Sequence, residues 1–469
     1  HLLGNVSEAG EGVSGLERLY HNQLSGRPGE ALLLQDAYEG LRARVDLVEP
    51  QDGADVVTTL DLRVQSILEH ELETARERAG ASAAQGIVLD PGSGEVIAMA
   101  QSPFRTPAPD GGGKVDPWRV TAATDEFEPG SVFKFLSLAT LLAEAVVDTS
   151  TVFDGTGKPG DRRVVHTFSN GRQIRDVHPV GRVSLRHAFV TSSNIIFAKA
   201  VEERLRTREM HDAIRRFGML ERPGAGFLGE TDGTLLDRDQ WTSYMMQSLA
   251  IGQAIQVNLL QLSTAAAAVL GDGTLRAPLF AREVRGVDGD IQHLSAVVRR
   301  RNVLGESVRH QLRSAARDVV HTDYGTATTA RVQGLTVGGK TSTAQISNRE
   351  GYIDGIYSPI FVGAVPAEDP RLIVIIVLHG APGERTFGGN TAAPCFANVV
   401  QGIASRTQWL EGAFEVAQIK PAERIPAPSL LGRTVAEVVD LAEESAWVFD
   451  LPDAPAHVRA VSQLPRPGS

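Results

Sequence analysis

The stretch Glu128–Val147, EPGSVFKFLSLATLLAEAVV, governs how the rest of the chain must be arranged. After the Pro129-Gly130 break, Val132, Phe133, Phe135, Leu136, Leu138, Leu141 and Leu142 leave almost no polar side. A surface helix keeps a polar stripe, whereas a helix apolar all round belongs in a domain interior. The stretch therefore predicts a central helix that other elements must surround. Lys134 lies in its first turns, one helical turn after Ser131. Six lysines stand against forty arginines in this chain, so a lysine here is a selective choice. Arginine stays protonated in a protein, but a desolvated lysine gives up its proton and can become a base. Lys134 is thus either a group for proton chemistry or a side chain that snorkels to the surface.

Outward from this helix, elements alternate in type. Residues 56–78, VVTTLDLRVQSILEHELETARER, read as a helix. GIVLD and EVIAMA flank Pro91-Gly92-Ser93-Gly94, a hairpin pattern. Gly111-Gly112-Gly113-Lys114 lacks the upstream glycine and following hydroxyl of a phosphate loop and reads as plain loop. From 129 to about 320 the pattern is mainly helical, with loops at 154–180 and 218–236. Strand patterns return at 335–347, 358–366 and 371–380, joined by turns that include Asp354-Gly355, and a helix is expected over 391–410. Strands early, helices in the middle and strands at the end predict an α/β (α+β) fold, an antiparallel sheet closing around a helical insert. A Pro-rich linker then leads to a small segment at 425–469.

Composition excludes several classes. A net charge of −11 with no basic block argues against a nucleic-acid partner. The single cysteine, Cys395, rules out an internal disulfide. No apolar run approaches the roughly 18 residues of a membrane span. The twelve histidines show no ligand spacing such as HExxH. The chain opens on His1 without a signal-peptide pattern, and a targeting segment is expected upstream.

Two further polar clusters stand out. In VTSSNIIFAKAVEERL (190–205), Ser192 and Asn194 precede an apolar helical run, where a helix cap is the plain reading. In GGKTSTAQ (338–345), Lys340 sits in a strand of small and hydroxyl residues, where it could simply protect a sheet edge. Taken together, Ser131-x-x-Lys134, Ser192-x-Asn194 and Lys340-Thr341-Ser342 match, in order, the three-part signature of penicillin-recognising serine acyltransferases. Ser131–Lys134 is the one Ser-x-x-Lys in the sequence.

The resemblance reaches beyond the motifs. DEFEPGSVFKFLSLATLL, GLERLYHNQLSG, VVTTLDLRVQ, GIVLDPGSGEVIAMAQSP and SPIFVGAVPAEDPRLIVIIVL resemble segments of class B penicillin-binding proteins, nearest the cell-division branch. The tail from IPAPSLLGRTVAEVVDLAEESAW onward resembles a PASTA module. The likeness implies a penicillin-binding transpeptidase fold: a five-stranded antiparallel sheet flanked by helices, with an all-helical subdomain. Residues 1–50 would end a non-catalytic pedestal module, 51–410 form the transpeptidase domain, 411–424 a linker and 425–469 a small α/β PASTA-like module. It further implies a nucleophile at Ser131, a base at Lys134, a proton relay at Ser192, and an amide at Asn194 that orients Lys134 and holds substrate. Lys340 would keep the cleft positive for a terminal carboxylate, with Thr341, Ser342 and Thr343 along the substrate. The backbone N–H groups of Ser131 and Thr343 would form the oxyanion hole. No metal or other cofactor is implied. The implied partners are peptidoglycan stem peptides or their lipid-linked precursor, β-lactam antibiotics, a glycosyltransferase and divisome membrane proteins. The implied place is outside the cytoplasmic membrane, held by an N-terminal transmembrane helix upstream of His1.

Two positions depart from the family pattern. Ser342 stands where glycine usually follows Lys-Thr, and its side chain is expected either to crowd a bound acyl group, the favoured reading, or to offer it an extra hydroxyl. Gly252-Gln253-Ala254 lacks the second glycine often found there. Related hydrolases, β-lactamases and carboxypeptidases, share the three clusters, but no Glu-x-x-Leu-Asn follows Ser192 to activate a deacylating water. A non-catalytic wall scaffold or β-lactam sensor is the other reading.

Overall fold

Five strands from opposite ends of the chain meet in one sheet. They are β1 (Ala83–Leu89), β2 (Val96–Ser102), β3 (Gly338–Asn348), β4 (Gly351–Val365) and β5 (Leu372–His379), in the spatial order β3-β4-β5-β1-β2. Every neighbouring pair is antiparallel. A short strand, Ala381–Pro382, adds to β4. The computed structural model describes residues 1–35, 41–103, 118–159, 164–348, 351–383 and 386–413, with Thr434 and Glu437 beyond them.

The strands are apolar because both faces are covered. β5, LIVIIVLH, is buried over seven of its eight positions, the pattern of a strand with helices on both sides. One face carries α1 (Leu62–Ala79) and, from the far end of the chain, the Ala392–Arg406 helix. Between these two lie α2 (Lys134–Ala143), α3 (Asn194–Arg204), α4 (Leu259–Leu270) and α5 (Glu306–His321); the Ala392–Arg406 helix is therefore α6. α4 and α5 cover the opposite face, and α2 packs against both. Nine of the ten residues of α2 are buried, as expected of a helix apolar on all sides. α1 begins on an Asp61 cap, whose carboxylate accepts from the Arg63 N–H at 2.9 Å, and ends on Gly80 at φ 61°.

Several expectations need correcting. Asp55–Thr58 is a strand paired with Ala281–Arg285, so α1 starts later than its periodicity suggested. The β-branched pair Val56-Val57 and its partner strand decide this. The insert is not all-helical. It carries a three-stranded sheet, Lys158–Pro159, Val164–Thr167 and Gln173–Asp176, and short strands such as Ala281–Arg285 and Ile291–His293. Each is only two to five residues long, too short for a period to show. Asp354-Gly355 lies inside β4 rather than in a turn, because β3 and β4 pair on to Asn348 and Gly351. The Gly111–Lys114 loop lies outside the described residues.

His1–Phe414 forms one compact unit and Glu415–Ser469 a second. Within the first, Leu2 and Leu16 join the main core, and Glu30–Gln35 pairs with Leu41–Val48. Within the second, Thr434 and Glu437 exchange hydrogen bonds, the Thr434 N–H donating to the Glu437 carboxylate and the Glu437 N–H to the Thr434 hydroxyl. The rest of the PASTA-like segment lies outside the described residues.

Candidate active site

Ser131 stands in a tight 3-10 turn, Gly130–Phe133, that runs directly into α2. The turn needs glycine twice. Gly130 has φ 55°, and its N–H donates to the Gly252 carbonyl at 2.9 Å. A Cβ on Gly252 would come within 2.1 Å of the Gly130 carbonyl oxygen, so the two backbones could not touch.

Lys134 opens α2 and is fully buried. Its ammonium donates to the Ser192 carbonyl and to Asn194 Oδ1, each at 2.7 Å, and to Ser192 Oγ at 3.3 Å. Ser192 has φ 61°, a left-handed backbone that is costly for a residue with a Cβ and is typical of functional sites. Neither Ser192 nor Asn194 caps α3. The cap is Ser193 between them, whose Oγ accepts from the Ile196 N–H at 3.1 Å. With the cap supplied by the middle residue, both neighbours are left to serve Lys134.

A residue invisible in the sequence organises this corner. Asp176, buried, accepts from the Ser193 hydroxyl at 2.5 Å and from the N–H groups of Asn194 and Ile195 at 2.6 and 3.1 Å. A carboxylate at a helix N-terminus is favoured by the helix dipole as well as by these donors. The carbonyl of the preceding Arg175 accepts from Asn194 Nδ2 at 3.1 Å, which leaves Oδ1 turned to Lys134. Asp176 ends a strand of four residues amid turns, and its spacing to the motifs carries no signal.

The third cluster comes from the sheet. Residues directly opposite on antiparallel strands share a face. Phe361 and Gly363 face Phe396 of α6, so their partners Thr341 and Gly339 do too, and Thr343 with them. Lys340 and Ser342 face α2. Thr341 Oγ1 bonds Thr326 Oγ1 at 2.9 Å, and Thr343 Oγ1 accepts from the Gly388 N–H at 3.1 Å. β3 is an edge strand, and Thr343 pairs with Pro359, which has no N–H to exchange. Thr343 therefore takes the unbonded position, with its own N–H directed out of the sheet edge beside Ser131.

Lys340 is also fully buried; it donates to the Thr341 carbonyl at 3.3 Å. Its ammonium lies 5.8 Å from the Phe189 ring centre, and that of Lys134 lies 5.5 Å from the Phe197 ring centre. Burial lowers Lys134 to about 7, opposed by the negative charge of Asp176. Burial, then the positive charge of Lys134, lowers Lys340 well below the usual lysine range. Two ammonium groups withdrawn from water near one another resist being charged together.

Ser342 occupies a specific place. The Ser131 N–H donates to Ser342 Oγ at 2.9 Å. Ser131, Lys134, Ser192, Asn194, Lys340 and Ser342 thus converge, while the Thr341 and Thr343 side chains stand on the other face of the same strand. The assembly holds a serine hydroxyl, a lysine able to become neutral and backbone donors at one point, which suits acyl transfer.

The family model "Penicillin binding protein transpeptidase domain" matches residues 85–401. Stage V sporulation protein D of Bacillus subtilis is 28% identical over 457 residues, covering 94% of this chain and 68% of the relative. Peptidoglycan D,D-transpeptidase FtsI of Escherichia coli is 25% identical over 403 residues, covering 86% and 65%. The chain therefore spans about two thirds of the length of these curated relatives. Among solved structures, penicillin-binding protein 3 of Mycobacterium tuberculosis, crystallised with aztreonam, superposes with a TM-score of 0.72 at 26% identity, covering 86% of this chain and 87% of that one. The matched span holds all three clusters and nearly all of the central sheet, and on that ground the chain belongs to the penicillin-binding protein transpeptidase family.

Proposed function

We propose that this protein is a class B, division-type serine D,D-transpeptidase that cross-links peptidoglycan stem peptides through an acyl-enzyme on Ser131. β-Lactams would acylate the same atom. The observation that carries this reading is a fully buried lysine, lowered to about 7, one helical turn from a serine in a glycine-dependent turn. Neutral Lys134 accepts the Ser131 proton as the hydroxyl attacks the carbonyl between the two D-alanines. The N–H groups of Ser131 and Thr343 receive the oxyanion, a contribution of roughly 3 kcal/mol per donor. Ser192, in contact with Lys134, passes the proton to the departing D-alanine amine. The amine of a second stem peptide then attacks the ester, forms the cross-link and frees Ser131. Asn194 holds Lys134 and the substrate amide. Lys340 supplies positive potential for the terminal carboxylate, and the Thr341–Thr343 strand edge pairs with the peptide backbone.

The division into an end of a pedestal (1–50), a transpeptidase domain (51–410), a linker (411–424) and a PASTA-like module (425–469) belongs to the same reading. So do an upstream membrane anchor, an extracytoplasmic location, and a glycosyltransferase and divisome proteins as partners. Intact mass spectrometry after benzylpenicillin treatment tests the core of it. One covalent adduct is expected on the wild type and none on Ser131→Ala; an adduct on that variant would move the nucleophile elsewhere. A scaffold without working chemistry would leave the wild type unlabelled.

A further inference from the structure

The nucleophile's own backbone N–H is not open. It donates to Ser342 Oγ at 2.9 Å, within the 2.7–3.1 Å at which an oxyanion-hole donor holds its oxyanion. An oxyanion formed on a carbon bonded to Ser131 Oγ needs that N–H, because the acyl carbon lies beside the serine that bears it. Ser342 Oγ and the oxyanion cannot share the donor's one productive direction.

The seat of this hydroxyl is built. Gly130 lacks the Cβ that would stand 2.3 Å from Ser342 Oγ. On the outer face, the Gly388 backbone closes on the strand so tightly that a Cβ there would meet the Ser342 carbonyl oxygen at 2.3 Å. Ser342 is 2% exposed, and strand alternation aims its side chain at the Ser131 turn rather than along the edge where a peptide would pair. The crowding expected from a side chain at this position is therefore not against the acyl group's length. It falls on the one atom position that every acyl donor must use.

We propose that the Ser342 hydroxyl is a built-in occupant of the oxyanion site, a gate that must rotate off the Ser131 N–H before acylation. The proposal rests on the acyl-transfer reading above. Rotation to another staggered rotamer gives up one neutral hydrogen bond, so the gate should slow acylation by about five-fold. Because the oxyanion is common to all substrates, the factor should be the same for small and bulky donors.

The test compares second-order acylation rates of wild type, Ser342→Ala and Ser342→Gly, with benzylpenicillin and with a bulky cephalosporin. Adduct mass on Ser131 and the melting temperature of each protein are followed alongside. Both variants should acylate about five-fold faster than wild type with both drugs. Faster acylation in Ser342→Gly alone would assign the effect to the Cβ and overturn the gate. Unchanged rates in both variants would also overturn it. Slower rates in both would show that the hydroxyl donates to the oxyanion instead. Absence of any Ser131 adduct in the wild type would fail the acyl-transfer reading itself, and the gate with it, a result distinct from the other three.

Discussion

At the scale of single residues, the site turns on how far Lys134 can be kept neutral. Burial lowers it to about 7, and Asp176 pulls the other way. Below that value the neutral fraction falls about ten-fold per pH unit, so acylation measured from pH 5 to 9 should climb about fifty-fold between 5 and 7, double once more and level off above about 8. Asp176→Asn removes the charge that raises Lys134, so the midpoint of that climb should move to lower pH. The same variant weakens the bonds to Ser193, Asn194 and Ile195 and should cost about 1–3 kcal/mol in denaturant unfolding. An unmoved midpoint would show that Asp176 acts on packing alone. The linkage runs in a definite direction. Unfolded, Lys134 titrates near its ordinary value of about 10.4. Between 7 and that value the unfolded chain binds more protons, so this group's contribution to stability improves as pH rises through the window.

At the scale of elements, the loop Gly252-Gln253-Ala254 braces the nucleophile turn from below. Ala254 has φ 63°, and its N–H donates to Glu128 Oε1 at 2.9 Å. Holding a Cβ in left-handed backbone costs roughly 1–2 kcal/mol, while glycine costs about 0.5–1 kcal/mol in unfolded-state freedom. Ala254→Gly should therefore stabilise the protein by about 0.5 kcal/mol, read as a small rise in melting temperature, and leave acylation within two-fold. A fall in melting temperature would mean that the bond to Glu128 and neighbouring packing outweigh the strain. Elements of this kind divide by legibility. α2 and β5 were readable because long apolar runs admit few placements. The short strands of the insert and the Asp55–Thr58 strand were not, because pairing partners far along the chain decide them. Ser192 and Asn194 were readable as a motif, but which of the three polar residues caps α3 depended on where Asp176 lay.

At the scale of the whole molecule, the C-terminal boundary of the catalytic unit is set by packing. Leu410 is fully buried, and Trp409 Nε1 donates at 3.2 Å to Asp61, the residue that caps α1. Truncation after Ala413 should leave penicillin acylation within two-fold of wild type. Truncation after Arg406 removes Leu410 and Trp409 and should cost about 2–5 kcal/mol of stability, the usual range for deleting a large core side chain. Equal melting temperatures for the two truncations would show that these residues contribute nothing to the core. The sequence by itself determined the central buried helix, the antiparallel sheet drawn from both ends of the chain, and the three polar clusters, because apolar periodicity and residue type are local properties. Only the tertiary structure decided that Asp176 orders the second cluster, that Ser193 is the cap, and that the Ser342 hydroxyl rests on the Ser131 N–H. Those are contacts between segments as many as 211 residues apart, and their geometry exists only once the helices have closed on the sheet.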